Sequence, residues 1–212
     1  MSKIFSVLAV VMLLATWGTS PARADVCGSV PGNLVQNCGF ETGDFTGWII
    51  GGNMQNPGIN WGVDGVFPNS GNYGAFLGAA GAPITLSQTV AALANGSYQV
   101  TFYARQESQD ASGANVHAFS VSFDGKVLDS ESNVAATDSY VKYSFLTSTG
   151  ATGNSNVLQF NFQNDDSFFD FDDVSVTAVS SAAPEPASFL LVIPGLGALF
   201  VLGRRRKSLR LM

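Results

Sequence analysis

The strongest constraint on this chain is a period of two. Ile84, Leu86 and Val90 alternate with Thr85, Ser87 and Thr89, and Tyr98, Val100, Phe102 and Ala104 alternate with Gln99, Thr101, Tyr103 and Arg105. Phe119, Val121 and Phe123 flank Ser120 and Ser122. Val141, Tyr143 and Phe145 keep the same spacing, as do Leu158, Phe160 and Phe162, and Val174 and Val176. Successive side chains of a strand point to opposite faces, so such runs are strands with one face buried. Asn95-Gly96, Asp124-Gly125 and Thr149-Gly150 divide them, and dipeptides of this kind build turns. No helical period persists between residues 25 and 181. The expected fold is all-β, an antiparallel sandwich.

Long apolar runs occur only at the two ends. Lys3, an apolar run from Ile4 to about Trp17 and Ala22-Arg23-Ala24 have the three parts of a secretory signal peptide, cleaved after Ala24. At the other end a second run, Ala187 to Leu202, precedes Gly203 and a basic cluster. Sixteen helical residues span about 24 Å against a hydrocarbon core of about 30 Å, and Pro194 and Gly195 weaken the helix further. This is a marginal single-pass anchor, with its basic tail in the cytoplasm and the body outside. The organisation expected is a signal peptide over 1–24, a β-sandwich over 25–181, and a linker, transmembrane helix and basic tail over 182–212.

Charge is segregated in the same way. Between residues 25 and 183 only Arg105, Lys126 and Lys142 are cationic, against fifteen acids, a net charge of −12. A body this acidic is repelled by phosphate backbones, which excludes nucleic acid as a partner.

Ala183-Pro184-Glu185-Pro186, the short apolar helix and the cluster Arg204-Arg205-Arg206-Lys207 together resemble the PEP-CTERM sorting signal of Gram-negative bacteria. The resemblance implies an exosortase that cuts near Pro184-Glu185-Pro186, after the helix has held the protein transiently in the inner membrane. The product is then at the cell surface or extracellular. Three further stretches follow in order: Asn33 to Glu41 with Gly47-Trp48; Leu86 to Val90 with Gly96 to Arg105; and Phe171-Asp172-Asp173-Val174-Ser175-Val176. In that order they resemble the galactose-binding-like jelly rolls, which include carbohydrate-binding modules. The fold implied is a jelly-roll β-sandwich.

That resemblance also implies a structural calcium, with the Gly39 carbonyl, Glu41, Asp172 and a further acid such as Asp64 as ligands. Asp172 shares strand parity with Val174 and Val176, so its carboxylate is expected inside, where it needs a cation or several donors. Asp173, on the opposite parity, is expected in solvent. The alternative, that these acids only cap turns and accept backbone N–H bonds, stays open. Cys27 and Cys38, the only cysteines, both lie in the exported part and are expected to form a disulfide staple.

Other residues carry less chemistry. His117, the only histidine, reads as a strand-end residue bonded to backbone; no G-x-S-x-G accompanies it, and zinc lacks further ligands. Asp165, Asp166 and Asp170 read as a solvated turn rather than a glycosidase pair. For sugar binding, a flat ring stacks on a pyranose while amides and charges fix its hydroxyls. Trp61, in a Gly- and Asn-rich stretch from Gly51 to Asn72 that reads as surface loop, and Tyr103, Arg105 and Gln106 are the candidate binding residues. Trp48 is expected in the core.

The function expected is that of an exported, exosortase-sorted, non-catalytic surface or matrix protein that contacts extracellular polysaccharide, its other partners being signal peptidase and exosortase. The alternative is a structural surface protein that self-associates through an acidic, calcium-dependent surface. An extracellular glycan-active enzyme has the least support.

Overall fold

The computed structural model describes residues 24–54, 60–107, 115–150 and 156–179. These belong to the first of two units, Met1–Val179; the second, Ser180–Met212, lies outside the described residues, as do residues 1–23. The expected signal peptide and the sorting residues Pro184, Glu185, Pro186, Arg204, Arg205 and Arg206 therefore fall outside the description. Among the described residues no helix is long and apolar enough to cross a membrane.

Apart from a 3₁₀ turn at Cys27–Ser29, the regular structure among the described residues is β: β1 (Ile49–Gly52), β2 (Asn60–Asp64), β3 (Gly74–Thr89), β4 (Ser97–Gln106), β5 (His117–Phe123), β6 (Lys126–Ser132), β7 (Val141–Ser148) and β8 (Val157–Ala178). Every pairing is antiparallel, as the alternation predicts. Two long strands run through both layers of the sandwich. The first part of β8 pairs with residues 84–89 of β3 and with β5; its last part pairs with residues 75–77 of β3 and with β4. Register breaks in β3 between Leu77 and Ile84 let the strands turn the corner. One layer thus runs β6-β5-β8-β3-β1 and the other β7-β4-β8-β3-β2.

The facing sides bury a cluster of phenylalanines. Phe102 lies 5.0 Å from Phe160 and 5.7 Å from Phe171, ring centre to ring centre, and Phe160 lies 4.7 Å from Phe171. Such pairs contribute about 0.5–1.5 kcal/mol each beyond their apolar burial. Trp48 is in the core as expected, stacked on Phe40 and donating from Nε1 to the Asn37 carbonyl at 3.2 Å.

Sequence parity shifts twice along β8, first between Asn164 and Phe169, where it advances five residues against two of β3, and again before Val174. While β4 advances from Thr101 to Tyr103, β8 passes from Ser175 to Asp172, one residue more. The extra residue is a bulge, and Asp173 sits there with φ of 53°. The bulge shifts the phase, so Asp172 is the register partner of Tyr103 and shares its outward face rather than that of Val174. It is nonetheless fully buried, because the loop between β2 and β3 folds over it: the Asn69 and Ser70 amides donate to its Oδ2 at 2.8 and 3.2 Å. Asp173, expected in solvent, is 2% exposed; it accepts from Cys27 N at 3.2 Å and Ser70 Oγ at 2.7 Å.

Two further expectations are corrected. Asp165, Asp166 and Asp170 are not a solvated turn but part of the continuous β8, and Asp170 is buried. His117 opens β5 and is buried, but its Nε2 meets Asp166 Oδ1 at 2.5 Å rather than backbone.

Beyond Phe171 the edge of β8 leaves β3 and is taken up by the N-terminal segment. Leu34 N donates to the Val176 carbonyl and Val174 N to the Cys38 carbonyl, both at 2.9 Å. The Asn33 side chain bonds the β8 backbone at Val174 and Val176. Cys27 and Cys38 form the expected disulfide across this segment.

Candidate functional site

Alternation along β4 sends Val100, Phe102 and Ala104 into the core and Gln99, Thr101, Tyr103 and Arg105 outward. Antiparallel register places Ser175 and Thr177 of β8 on one side of this row, and Lys142 and Ser144 of β7 on the other. The result is a groove of about 200 Å³, floored by Gln99, Thr101, Tyr103, Ser175 and Thr177, with Lys142 on its rim. The N-terminal segment, through Val26, Cys27 and Val30, forms a wall above β8.

The polar floor is pre-organised. Ser144 Oγ receives Gln99 Nε2 at 2.9 Å and lies 3.1 Å from Thr101 Oγ1. The Tyr103 ring is half-buried between neighbours, and Lys142 Nζ lies 6.0 Å from its centre. Among the described residues Lys142 forms no ion pair, whereas Arg105 forms two. A half-sunk aromatic ring ringed by hydroxyl, amide and ammonium groups can stack on an apolar face while bonding the hydroxyls at its rim.

Of the four nominated binding residues, only Tyr103 is free to act this way. Arg105 is on the same face but engaged: Nε donates to Asp170 Oδ2 at 2.7 Å, Nη2 bonds Asp170 and Glu107, and the guanidinium lies 4.2 Å from the centre of the Phe67 ring. Burial nonetheless pushes the Asp170 carboxyl up to about 6, against the pull of Arg105. Gln106 is 1% exposed, and its Oε1 accepts from Asn164 Nδ2 at 2.6 Å. The alternation itself groups Gln106 with Phe102 and Ala104, on the core side. Trp61 is not on a surface loop; it lies in β2 opposite the buried Leu77 and packs on Phe45, 5.7 Å between ring centres. It therefore faces inward, away from Tyr103. Lys142, Thr101, Ser175 and Thr177 were not singled out from sequence. Their outward parity is readable, but their adjacency depends on a strand order that alternation does not encode.

The nominated calcium ligands do not converge. Among the described residues, the only three acidic, thiol or imidazole side chains with ligand atoms within 4.8 Å of one another are Asp25, Cys27 and Cys38, and the two cysteines are joined to each other. Glu41 and Asp172 instead grip the 69–73 loop from two sides. Glu41 accepts from the amides of Asn72 and Tyr73 at 2.8 and 3.0 Å, and Asp172 from those of Asn69 and Ser70. Asp64 Oδ1 is separately engaged by Val66 N at 2.9 Å. N–H groups engage each of these carboxylates, and no three of them come together among the described residues, so the set of Gly39, Glu41, Asp64 and Asp172 does not fit one ion. Asp172 keeps an electrostatic cost: burial, then the neighbouring Asp173, pushes its carboxyl up to about 8 against these hydrogen bonds.

No protein-family model matches the chain, and no curated protein matches it. Solved structures do. The enzymatically active domain of tailspike protein 4 of bacteriophage CBA120 matches with a TM-score of 0.51 at 16% identity, over 69% of this chain and 21% of that one. The CBM22-1–GH10 modules of a Clostridium thermocellum endo-1,4-β-D-xylanase, complexed with xylohexaose, match with a TM-score of 0.51 at 18% identity, over 73% of this chain and 30% of that one. A cyclase from Fischerella sp. TAU matches with a TM-score of 0.50 at 19% identity, over 70% of this chain and 97% of that one. The chain thus spans less than a third of the first two proteins, and at these identities what is shared is the fold.

Proposed function

We propose that this protein is an exported, non-catalytic surface or matrix protein that contacts extracellular polysaccharide through the groove on β4, β7 and β8. The observation that carries the reading is the half-sunk Tyr103 ring flanked by Thr101, Ser175 and Lys142, which forms no ion pair among the described residues. It lies on a fold also seen in proteins that carry carbohydrate-binding modules. A non-catalytic role is favoured by the side-chain chemistry: His117 is buried against Asp166, and the buried Asp170 is held by Arg105, so neither opens onto the groove as a proton carrier. Export through the signal peptide and sorting by an exosortase complete the proposal, resting on residues 1–24 and 182–212.

The test is binding to a panel of xylan, galactan, mannan, glucan and polyuronate, with and without EDTA. The wild-type protein is expected to bind at least one member in both conditions. Tyr103→Ala should lose tenfold or more and Trp61→Ala should not; a tenfold loss corresponds to about 1.4 kcal/mol. Silence across the panel refutes the proposal, and binding lost in EDTA would put an ion back into the site. Mass spectrometry of the mature C-terminus tests sorting: an intact Arg204–Lys207 tail on surface protein contradicts it.

A further inference from the structure

The groove is a corner with two closed sides. A polymer crossing the strands from β7 passes Lys142 and Tyr103 and then meets the N-terminal wall above β8. That wall is fastened at several points. Cys27 N donates to Asp173 Oδ1, the Asn33 side chain bonds the β8 backbone, and the Cys27–Cys38 disulfide closes the segment onto itself.

The second closed side lies beyond Tyr103. The 66–73 loop folds down there, with the Phe67 ring on the Arg105 guanidinium and the Asn69 and Ser70 amides on Asp172, the register partner of Tyr103. The two walls are joined to each other. Val26 N donates to Ser70 Oγ at 2.8 Å, and Asn69 Nδ2 donates to Asp173 Oδ2 at 2.6 Å. The bulge at Asp173 makes this junction, because its turned carboxylate reaches both the wall and the loop. The groove, about 200 Å³, is below the roughly 300–1,000 Å³ of a pocket that takes a drug-sized ligand; the N-terminal segment lines it, and the 66–73 loop stands past its Tyr103 end over Asp172 and Arg105.

We infer that the groove takes the end of a glycan chain, its terminal one or two residues, rather than a stretch of the interior. This rests on the proposed function. A cleft open at both ends adds contacts with each further sugar; a corner stops adding them once the terminal residues are seated. Affinity then becomes independent of length, and each linear chain offers a fixed number of sites however long it is.

The experiment uses the protein and the same panel of xylan, galactan, mannan, glucan and polyuronate, each beside its own oligomers of two to six residues. Affinities come from calorimetry, and bound protein per chain from size fractions of the polysaccharide. For the member bound, trimer to hexamer are expected to agree within about twofold, with one protein per linear chain at every length. An affinity rising tenfold or more from trimer to hexamer, or bound protein growing with chain length, overturns the inference while leaving the proposed function standing. Binding to no member sinks the proposed function and the inference with it. The triple variant Cys27→Ser, Cys38→Ser, Asp173→Gly removes both the disulfide and the carboxylate that holds Cys27 N, keeps a residue suited to the positive φ, and should raise the hexamer-to-trimer affinity ratio by loosening residues 26–30. An unchanged ratio in a folded variant means the wall is not the boundary.

Discussion

Raising the pH should destabilise this domain across a range in which most acidic proteins are indifferent. Asp170, Asp172 and Asp173 are all buried, and among the described residues only Asp170 has an ion-pair partner, Arg105. From an ordinary value of 3.8, burial pushes Asp170 up to about 6 and Asp172 up to about 8. Between the ordinary and the raised value the folded protein holds protons that the unfolded chain has released. The unfolded state then binds fewer protons, so stability falls as pH rises and the loss is complete above the raised value. At about 1.4 kcal/mol per unit, Asp172 accounts for about 4 kcal/mol between pH 5 and 8, and Asp170 for about 1 kcal/mol between pH 5 and 6. These are ceilings, because the 69–73 loop can yield and admit water once Asp172 ionises; a net loss of about 2–5 kcal/mol is expected. Urea unfolding at pH 5 to 9 in EDTA measures it as a fall in midpoint at constant slope. Asp172→Asn should therefore flatten the profile between pH 6 and 8. A wild-type midpoint that is flat or rises from pH 5 to 9 would refute the argument.

Other perturbations probe the frame around the groove. Phe102→Ala removes the ring that meets Phe119, Phe160 and Phe171 and should cost about 3–5 kcal/mol in denaturant unfolding. Reducing Cys27–Cys38, 11 residues apart, should cost about 3 kcal/mol and lower the melting temperature by roughly 6–12 °C. The fold should survive, because Leu34, Cys38 and Asn33 still bond β8. Gly71→Ala would place a Cβ 2.1 Å from Glu41 Oε1 at a φ of +60°. It should cost about 1–3 kcal/mol by displacing the carboxylate that holds Asn72 and Tyr73, visible as a lower melting temperature.

Much of this architecture was legible in the sequence because alternation is a local property. The runs around Phe102, Phe119 and Phe160 lie in strands with those rings inside, Trp48 is in the core as its place after Gly39-Phe40-Glu41 suggests, and Cys27 and Cys38 are joined as an even pair of cysteines suggests. Alternation became misleading where the backbone inserts a residue. The bulge at Asp173 moved Asp172 to the other face, and no residue nearby announces a positive φ, since aspartate adopts it without glycine. Trp61 was misplaced because glycine- and asparagine-rich flanks read as loop, whereas β2 gains its place only by pairing with β3. The groove itself was half legible. Tyr103 followed from parity, but Lys142, Ser175 and the N-terminal wall join it through long-range register and the open edge of β8.

The most direct test of the account is a residue-resolved map of where glycan touches the protein. Amide chemical shifts of the ¹⁵N-labelled protein, titrated with trimers of each panel member, should move at Gln99, Thr101, Tyr103, Lys142 and Ser175 and at Val26 to Val30. The opposite face, at Ser120, Ser130 and Asn161, should stay still. Shifts concentrated on that opposite face, or no shifts with any trimer, would contradict it.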